Sequence, residues 1–185
     1  MFWTAEPHFF HPIPTVVNNA MIGKFKLDGD ARPRIADLKW QQLDAQLQGF
    51  LRGALNTTQS ALPGFEKAGF GRIVNIGTNL LANPVVPYHD YIAAKGSLLA
   101  FTRTCAAELG EKNINVNMVS GGLLRTTDAS AATPEDVFGL IENVTPLKRV
   151  ITPDEVADVV LFCASEWARG MSGQEIVVDG GLVMR

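Results

Sequence analysis

Tyr91 and Lys95 are the residues of this sequence whose types and spacing point most directly to chemistry. They are four positions apart in a segment with helical periodicity, so both side chains are expected on one face of a helix, one turn apart. An ammonium group beside a phenol favours the phenolate and lowers the pKa of the phenol from about 10. A tyrosine tuned in this way can exchange a proton with the oxygen of an alcohol or a ketone near neutral pH.

Thr78 is predicted to add a hydroxyl group to this pair. It follows the β-branched segment 72–76, which reads as a strand, and parallel sheets bind ligands outside the carboxyl ends of their strands. A proton donor, a hydroxyl anchor and a nearby cation together suit hydride transfer to or from a carbonyl group. The Tyr-x-x-x-Lys spacing alone is a weak signal, because on a surface helix it is more often a packing pair.

The segments that must position these residues alternate between strand and helix patterns. Strands are predicted at 16–17, 72–76, 114–119 and 176–178, and helices at about 37–62, 90–110, from 133 onward and 153–167. Pro63 and Gly64 are expected to weaken the first long helix near its end, and Gly110 is expected to cap the second. This alternation predicts an α/β fold in which helices cover both faces of a parallel sheet.

Length and composition predict one ordinary domain. The chain has 185 residues, of which 46% are hydrophobic and 19% are charged. Residues 1–14 read as an irregular leader, because three prolines interrupt them, and residues 15–185 read as the domain. The leader also contains His8 and His11, but without a carboxylate partner they predict no metal site.

Charge and hydropathy exclude several classes of partner. The net charge is −3 and no block of Lys and Arg occurs, so neither a nucleic acid nor an anionic membrane surface is an expected partner. No apolar run is long enough to span a bilayer. Cys105 and Cys163 are too few for a secreted disulfide framework. A reducing, cytoplasmic location is therefore the expectation.

Several further segments occur at offsets that are typical of one enzyme family. Thr78 precedes Tyr91 by thirteen residues, and the remaining segments are Asn18-Asn19-Ala20, Gly71-Arg72-Ile73-Val74-Asn75-Ile76, Val116-Asn117, Gly121-Gly122, Thr126, Ser172-Gly173-Gln174 and Val178-Asp179-Gly180-Gly181. From about Thr15 to the C-terminus the sequence resembles the short-chain dehydrogenase/reductase family, whose commonest members are 3-oxoacyl-acyl-carrier-protein reductases. The resemblance implies a Rossmann-like, doubly wound parallel sheet and an NAD- or NADP-dependent oxidoreductase acting on a small carbonyl or alcohol substrate.

The resemblance also implies a role for each matching residue. Tyr91 resembles the catalytic acid/base, Lys95 the residue that lowers its pKa and binds the nicotinamide ribose, and Thr78 the family's serine. The implied cofactor contacts are Tyr91 and Lys95 together with Asn18, Asn19, Ala20, Gly122 and Thr126. For Asn18 an equally good reading is that its amide ties neighbouring strands together. The long helices at about 37–62 and 90–110 resemble those through which the family forms homodimers and homotetramers.

The sequence departs from the family pattern at two important places. Phe50 stands where the family's long central helix usually has an asparagine that helps a proton relay through water, so a water-holding kink is expected to be lost. No Gly-x-x-x-Gly-x-Gly turn for the cofactor pyrophosphate occurs in these residues. We therefore expect an N-terminally truncated sheet whose first strands are missing. The edge and helix faces left uncovered are expected to promote association.

Three functional hypotheses remain open at this point. The first is an oxidoreductase that interconverts a ketone, such as a 3-oxoacyl thioester, and a secondary alcohol through Tyr91, Lys95 and Thr78. The second is a catalytically inactive remnant that acts, if at all, through self-association. The third and weakest is a sugar- or nucleotide-binding module, which would not need a tuned phenol.

Overall fold

The computed structural model describes residues 14–21 and 32–184 of the chain. The predicted leader therefore lies outside the described residues except for Pro14, as do residues 22–31 of the following loop. The strands are β1 (Thr15–Asn18), β2 (Gly71–Thr78), β3 (Ile114–Gly121) and β4 (Glu175–Val178). The α-helices are α1 (Trp40–Leu47), α2 (Gly53–Ala68), α3 (His89–Leu109), α4 (Glu135–Val144) and α5 (Pro153–Ala164).

The four strands form one parallel sheet in the order β1-β2-β3-β4. Val16 pairs with Ile73, and Ile73 pairs with Val116, so the three strands are in register near their amino ends. Helices connect the successive strands, as parallel pairing requires. The predicted α/β, Rossmann-like sheet is confirmed.

Apolar side chains cover both faces of the sheet. On one face Phe65 of α2 and Leu109 of α3 pack against Ile73 and Val116. On the other face Val156 and Cys163 of α5 pack in a cluster with Val74, Val119 and Ile151. Neighbouring residues of β2 thus point to opposite faces, which is the alternation that buries a strand on both sides.

The first long helix differs from its predicted bounds of 37–62. It begins at Trp40, passes through a π-helical turn at Gln48–Arg52 and continues to Ala68, so Pro63 does not end it. Tertiary packing outweighs the local preference, because Phe65, two residues after the proline, is almost completely buried against Ile73. Gly69, with a φ of +76°, ends the helix in the left-handed conformation that glycine adopts without strain.

The ends of two other helices also differ from the prediction. Gly110 keeps a right-handed backbone with φ of −59° and begins a short 3-10 turn, and the left-handed conformation falls on Asn113 instead. The last helix stops at Ala164, and a separate 3-10 turn spans Glu166–Ala168. Helix α5 begins where the sequence predicted, at Pro153, because Thr152 and Glu155 form a capping box there. Within residues 14–21 and 32–184, no helix is both long and apolar enough to cross a membrane.

Candidate functional site

Tyr91 and Thr78 meet at the carboxyl edge of the sheet. Thr78 is the last residue of β2, and Tyr91 lies in the first turn of α3, which begins eleven residues further along at His89. The Thr78 hydroxyl hydrogen-bonds the Tyr91 hydroxyl. The strand end and the helix start therefore bring together the two hydroxyl groups that the sequence predicted as partners.

The pKa of Tyr91 moves in the opposite direction from the sequence-based expectation. Desolvation of its hydroxyl raises the pKa from 10.0 to about 12, and the hydrogen bond from Thr78 opposes this rise by a smaller amount. The residue as a whole is only half-buried, so the desolvation is local to the hydroxyl end of the ring. The phenol is consequently protonated at neutral pH.

Lys95 explains why the expected lowering does not occur. Its side chain is buried, with the residue 5% exposed, and burial lowers the pKa of the ammonium group to about 7. Nζ donates a hydrogen bond to the Ile76 carbonyl at 2.5 Å and lies 5.8 Å from the centre of the Tyr91 ring. A cation whose charge is half lost near pH 7 is a weak source of phenolate stabilisation.

Phe50 is the third side chain in contact with this pair. It lies in the π-helical turn, is 6% exposed, and places its ring centre 3.9 Å from Lys95 Nζ. The same ring meets the Tyr91 ring edge to face at 5.6 Å and 77°. Sequence comparison identified Phe50 as a departure, but not that it would contact both functional residues. The helix is irregular at this point even with phenylalanine there, since a π-helical turn spans Gln48–Arg52, and the expected loss of a bound water stays a prediction.

Arg32 and Asp90 form an ion pair at the start of α3, and sequence reasoning missed it. The two residues are 58 positions apart in the sequence, so no local pattern predicts the contact. Asp90 is buried and also accepts a hydrogen bond from the Tyr91 backbone amide at 2.9 Å. The Arg32 guanidinium lies 5.7 Å from the centre of the Tyr88 ring. Asp90 lies in the first turn of the helix, directly after His89, and Tyr88 occupies the N-cap position.

The amide of Asn18 is used inside the fold. Its Nδ2 donates to Asn75 Oδ1 at 2.7 Å, and its Oδ1 accepts from the Thr57 hydroxyl at 2.6 Å. Asn75 Nδ2 in turn donates to the Thr102 hydroxyl at 2.8 Å, and that hydroxyl donates to the Leu98 carbonyl at 2.8 Å. This hydrogen-bond series, Thr57–Asn18–Asn75–Thr102–Leu98, is the structural tie between strands that the sequence left as one of two readings.

Replacing Asn75 with alanine is expected to destabilise the chain by about 2 kcal/mol, because it leaves polar groups of Asn18 and Thr102 without their partner. Asn75 is completely buried, so water does not replace the lost hydrogen bonds. Urea denaturation followed by circular dichroism measures the change. Asn115→Ala is the matched control, because that asparagine bonds only loop carbonyls, and a loss as large as that of Asn75→Ala would contradict the argument.

The remaining predicted cofactor residues occupy two separate places. Asn19 and Ala20 are exposed just after β1. Gly122 lies beside Asn79 and Asp179, whose side chains hydrogen-bond at 3.0 Å, and a Cβ on Gly122 would approach them to 3.2 and 3.1 Å. Thr126 is exposed with a φ of +62° and lies on the rim of a cleft of about 410 Å³.

The donor groups at the sheet edge fit one half of a dinucleotide. Two hydroxyls, from Tyr91 and Thr78, and the Lys95 amine are hydrogen-bonding groups suited to a ribose and to a carbonyl oxygen. The Asn18 side chain, in contrast, has both of its amide atoms engaged within the protein. The candidate site is therefore the Tyr91, Lys95 and Thr78 cluster, with Phe50 packed against it.

Comparison with known proteins identifies the family of the chain. A sequence model of the family described as Enoyl-(Acyl carrier protein) reductase matches residues 2–183. The chain is 36% identical over 170 residues to the 3-oxoacyl-[acyl-carrier-protein] reductase FabG of Aquifex aeolicus, an alignment that covers 92% of this chain and 65% of that protein.

Two solved structures from Brucella melitensis are similar to the chain at 33% identity, and each alignment covers 93% of this chain and 63% of the other. One is a 3-oxoacyl-[acyl-carrier protein] reductase, with a TM-score of 0.82, and the other is a reductase of that name with bound NAD, with a TM-score of 0.79. The chain spans just under two thirds of the length of these relatives. With a family match over almost all of its residues and a parallel sheet of the same fold, the chain belongs to the short-chain dehydrogenase/reductase family.

Proposed function

We propose that this chain carries the catalytic half of a nicotinamide-dependent oxidoreductase that interconverts a ketone and a secondary alcohol. The observation that carries the proposal is the hydrogen bond between the Tyr91 and Thr78 hydroxyls at the carboxyl end of β2. Ligands of parallel sheets bind at this edge, so both hydroxyls are in place to bind one substrate oxygen.

The protonation of Tyr91 favours the reductive direction. With a pKa of about 12, the phenol is a proton donor at neutral pH rather than a base. A bound dihydronicotinamide would supply the hydride to the carbonyl carbon. Tyr91 would then give its proton to the carbonyl oxygen as negative charge develops there, while Thr78 holds that oxygen by a second hydrogen bond. The products are a secondary alcohol and a Tyr91 phenolate, which takes a proton back from solvent.

Lys95 is proposed to bind the nicotinamide ribose and to become protonated, and so positively charged, when the Tyr91 phenolate forms. Its pKa of about 7 lets the amine change protonation state in the physiological range. A phenolate formed next to it would favour the ammonium form, which balances the new negative charge. Thr126, Gly122, Asn19 and Ala20 stay candidates for further cofactor contacts, and the choice between NAD and NADP stays open.

The names of the relatives favour a 3-oxoacyl thioester as the substrate. Both the Aquifex protein and the Brucella proteins are named as 3-oxoacyl-acyl-carrier-protein reductases. The ketone of such a substrate, one methylene group away from the thioester, needs only the two hydroxyl groups and the hydride donor described above. We also propose that the chain forms a homodimer or homotetramer through the helices that span Trp40–Ala68 and α3, whose outward faces carry exposed residues such as Leu55.

A second candidate function is a non-catalytic chain that acts only by association. Two observations favour it, namely the Phe50 ring in contact with Lys95 and the internal use of the Asn18 amide. This candidate predicts that the chain holds no dinucleotide tightly, because the hydroxyl cluster accounts for only part of such a molecule.

Fluorescence titration of the purified chain with NADH and NADPH separates the two candidates. Saturable binding, followed by consumption of the reduced cofactor when an acetoacetyl thioester is added, is the result expected of the oxidoreductase. Absence of binding, with the chain folded by circular dichroism and associated in analytical ultracentrifugation, would establish the second candidate instead. Comparing the two cofactors in the same experiment gives the preference between NAD and NADP.

A further inference from the structure

Phe50 lies at the one place in the described part of the long helix where the backbone changes its hydrogen-bond spacing. The chain is α-helical over Trp40–Leu47 and Gly53–Ala68, and π-helical over Gln48–Arg52 between them. A π-helical turn accommodates one extra residue and is commonly retained where it directs a side chain at a functional site. Here the turn directs the ring of Phe50 into the protein, where the residue is 6% exposed.

The Phe50 ring packs against both Tyr91 and Lys95 on the side that faces the long helix, called here the inner side of the pair. Its face lies against Lys95 Nζ, with 3.9 Å between the nitrogen and the ring centre, a distance at which an ammonium group is attracted to an aromatic face. Its edge-to-face contact with the Tyr91 ring, at 5.6 Å, is a favoured aromatic arrangement. One apolar side chain thus contacts both of the residues proposed to handle protons.

An apolar cluster begins one turn further along the same helix. Ala54, which follows the π-helical turn, is buried in a cluster with Leu98 of α3 and Met118 of β3, and Leu81 packs against the same cluster. The Lys95 amine donates a hydrogen bond to the Ile76 carbonyl of β2, and the Tyr91 hydroxyl is bonded to Thr78 at the end of that strand. The pair therefore contacts β2 through polar groups and the long helix through the Phe50 ring.

We propose that Phe50 is a positioning residue that excludes water from the inner side of the Tyr91 and Lys95 pair and holds the Lys95 amine against its ring. Protons that reach or leave Tyr91 then pass through the open sheet edge rather than through the protein interior. This role of Phe50 rests on the proposed function, because it matters only if Tyr91 and Lys95 handle protons. Its test, however, follows the amine itself and does not require turnover.

The test is a pH titration of Lys95 followed by nuclear magnetic resonance in protein labelled with carbon-13 at the lysine side chains. The signal that disappears in Lys95→Arg assigns the residue. Phe50→Asn replaces the apolar ring with an amide that water can reach, so the Lys95 pKa is expected to rise from about 7 by at least about one unit, a tenfold change in proton affinity. Phe50→Leu keeps the site apolar and removes the attraction of the aromatic face for the ammonium group, so the pKa is expected to stay near 7 or to fall.

Comparing Phe50→Asn with Phe50→Leu distinguishes an effect of water entry from an effect of altered packing. An unchanged Lys95 pKa in Phe50→Asn would overturn the proposal, and so would an equal rise in Phe50→Leu. Should Phe50→Asn fail to fold, the Cε protons of Lys95 give a second readout. In the unaltered chain the nearby ring face is expected to shift their resonance upfield, and Phe50→Leu is expected to abolish this shift. Cε protons at the ordinary position in the unaltered chain would contradict the placement of the ring.

Discussion

Replacing Tyr91 with phenylalanine is expected to lower the turnover number for ketone reduction by about a hundredfold to ten-thousandfold, the range typical of a lost general acid. The substitution removes only the hydroxyl that Thr78 contacts, and it keeps the ring that packs edge to face against Phe50. The KM for the ketone is expected to change much less, because Thr78 still binds the substrate oxygen. Steady-state kinetics with the preferred reduced cofactor separate the two constants.

Tyr88→Phe is the matched control for this experiment. Tyr88 is the only other tyrosine of the chain, lies three residues earlier and is buried, and its ring contacts Arg32. Its loss of a hydroxyl is expected to leave turnover within about threefold, since no general acid is removed. Turnover that persists in Tyr91→Phe would rule out the mechanism proposed for this site.

Replacing Lys95 with methionine is expected to abolish reduction and, at the same time, to stabilise the fold at neutral pH. The folded-state pKa of Lys95 is about 7, whereas the unfolded-state pKa is near 10.5. Between these values the unfolded chain binds a proton that the folded chain does not, so burial of the amine costs stability. The full cost is present at and below about pH 7. Removing it is expected to raise the free energy of unfolding there by on the order of 3 kcal/mol, since one pKa unit corresponds to about 1.4 kcal/mol and the lost hydrogen bond offsets part of the gain.

The stability difference between Lys95→Met and the unaltered chain is expected to depend on pH in one direction. As the pH rises from 7 to about 10.5, the unfolded lysine also loses its proton, and the stability of the unaltered chain rises relative to Lys95→Met. Urea denaturation at several pH values in this window measures the difference, which is expected to shrink as the pH increases. Lys67→Met, at an exposed position of α2, is the control and is expected to show no such trend. A destabilised Lys95→Met with an unchanged pH profile would show that the amine is not buried at a cost.

The strands and their order follow from local patterns, because β-branched runs such as 72–76 bury both faces of a strand and are visible in the sequence. The meeting of Thr78 with Tyr91 was also predictable, since strand ends and the following helix starts share one edge of a parallel sheet. The direction of the shift in the Tyr91 pKa was not predictable from the sequence. Spacing shows which side chains share a helix face, whereas desolvation depends on residues such as Phe50 that arrive from a distant helix.

The two errors in the long helices have a similar origin. A single extra residue in a π-helical turn leaves the apolar pattern almost helical, so the sequence predicted one continuous element where the backbone has three. Pro63 was read as an ending because propensity is local, whereas the burial of Phe65 two residues later is decided by β2. The ion pair of Arg32 with Asp90 spans 58 positions and leaves no trace in local spacing.

The hydrogen-bond series from Thr57 to Leu98 has a consequence for how this fold opens. It runs from α2 through β1 and β2 to α3, and its central member Asn75 is fully buried. Detaching β1 alone would strip Asn75 of one partner without giving it access to water, so local fraying of that strand is penalised. We therefore expect the amide hydrogens of β1, which pairs with only one of the other described strands, to exchange in the same cooperative transition as those of β2. Asn18 would thereby join the outermost described strand to the cooperative unit of the sheet interior.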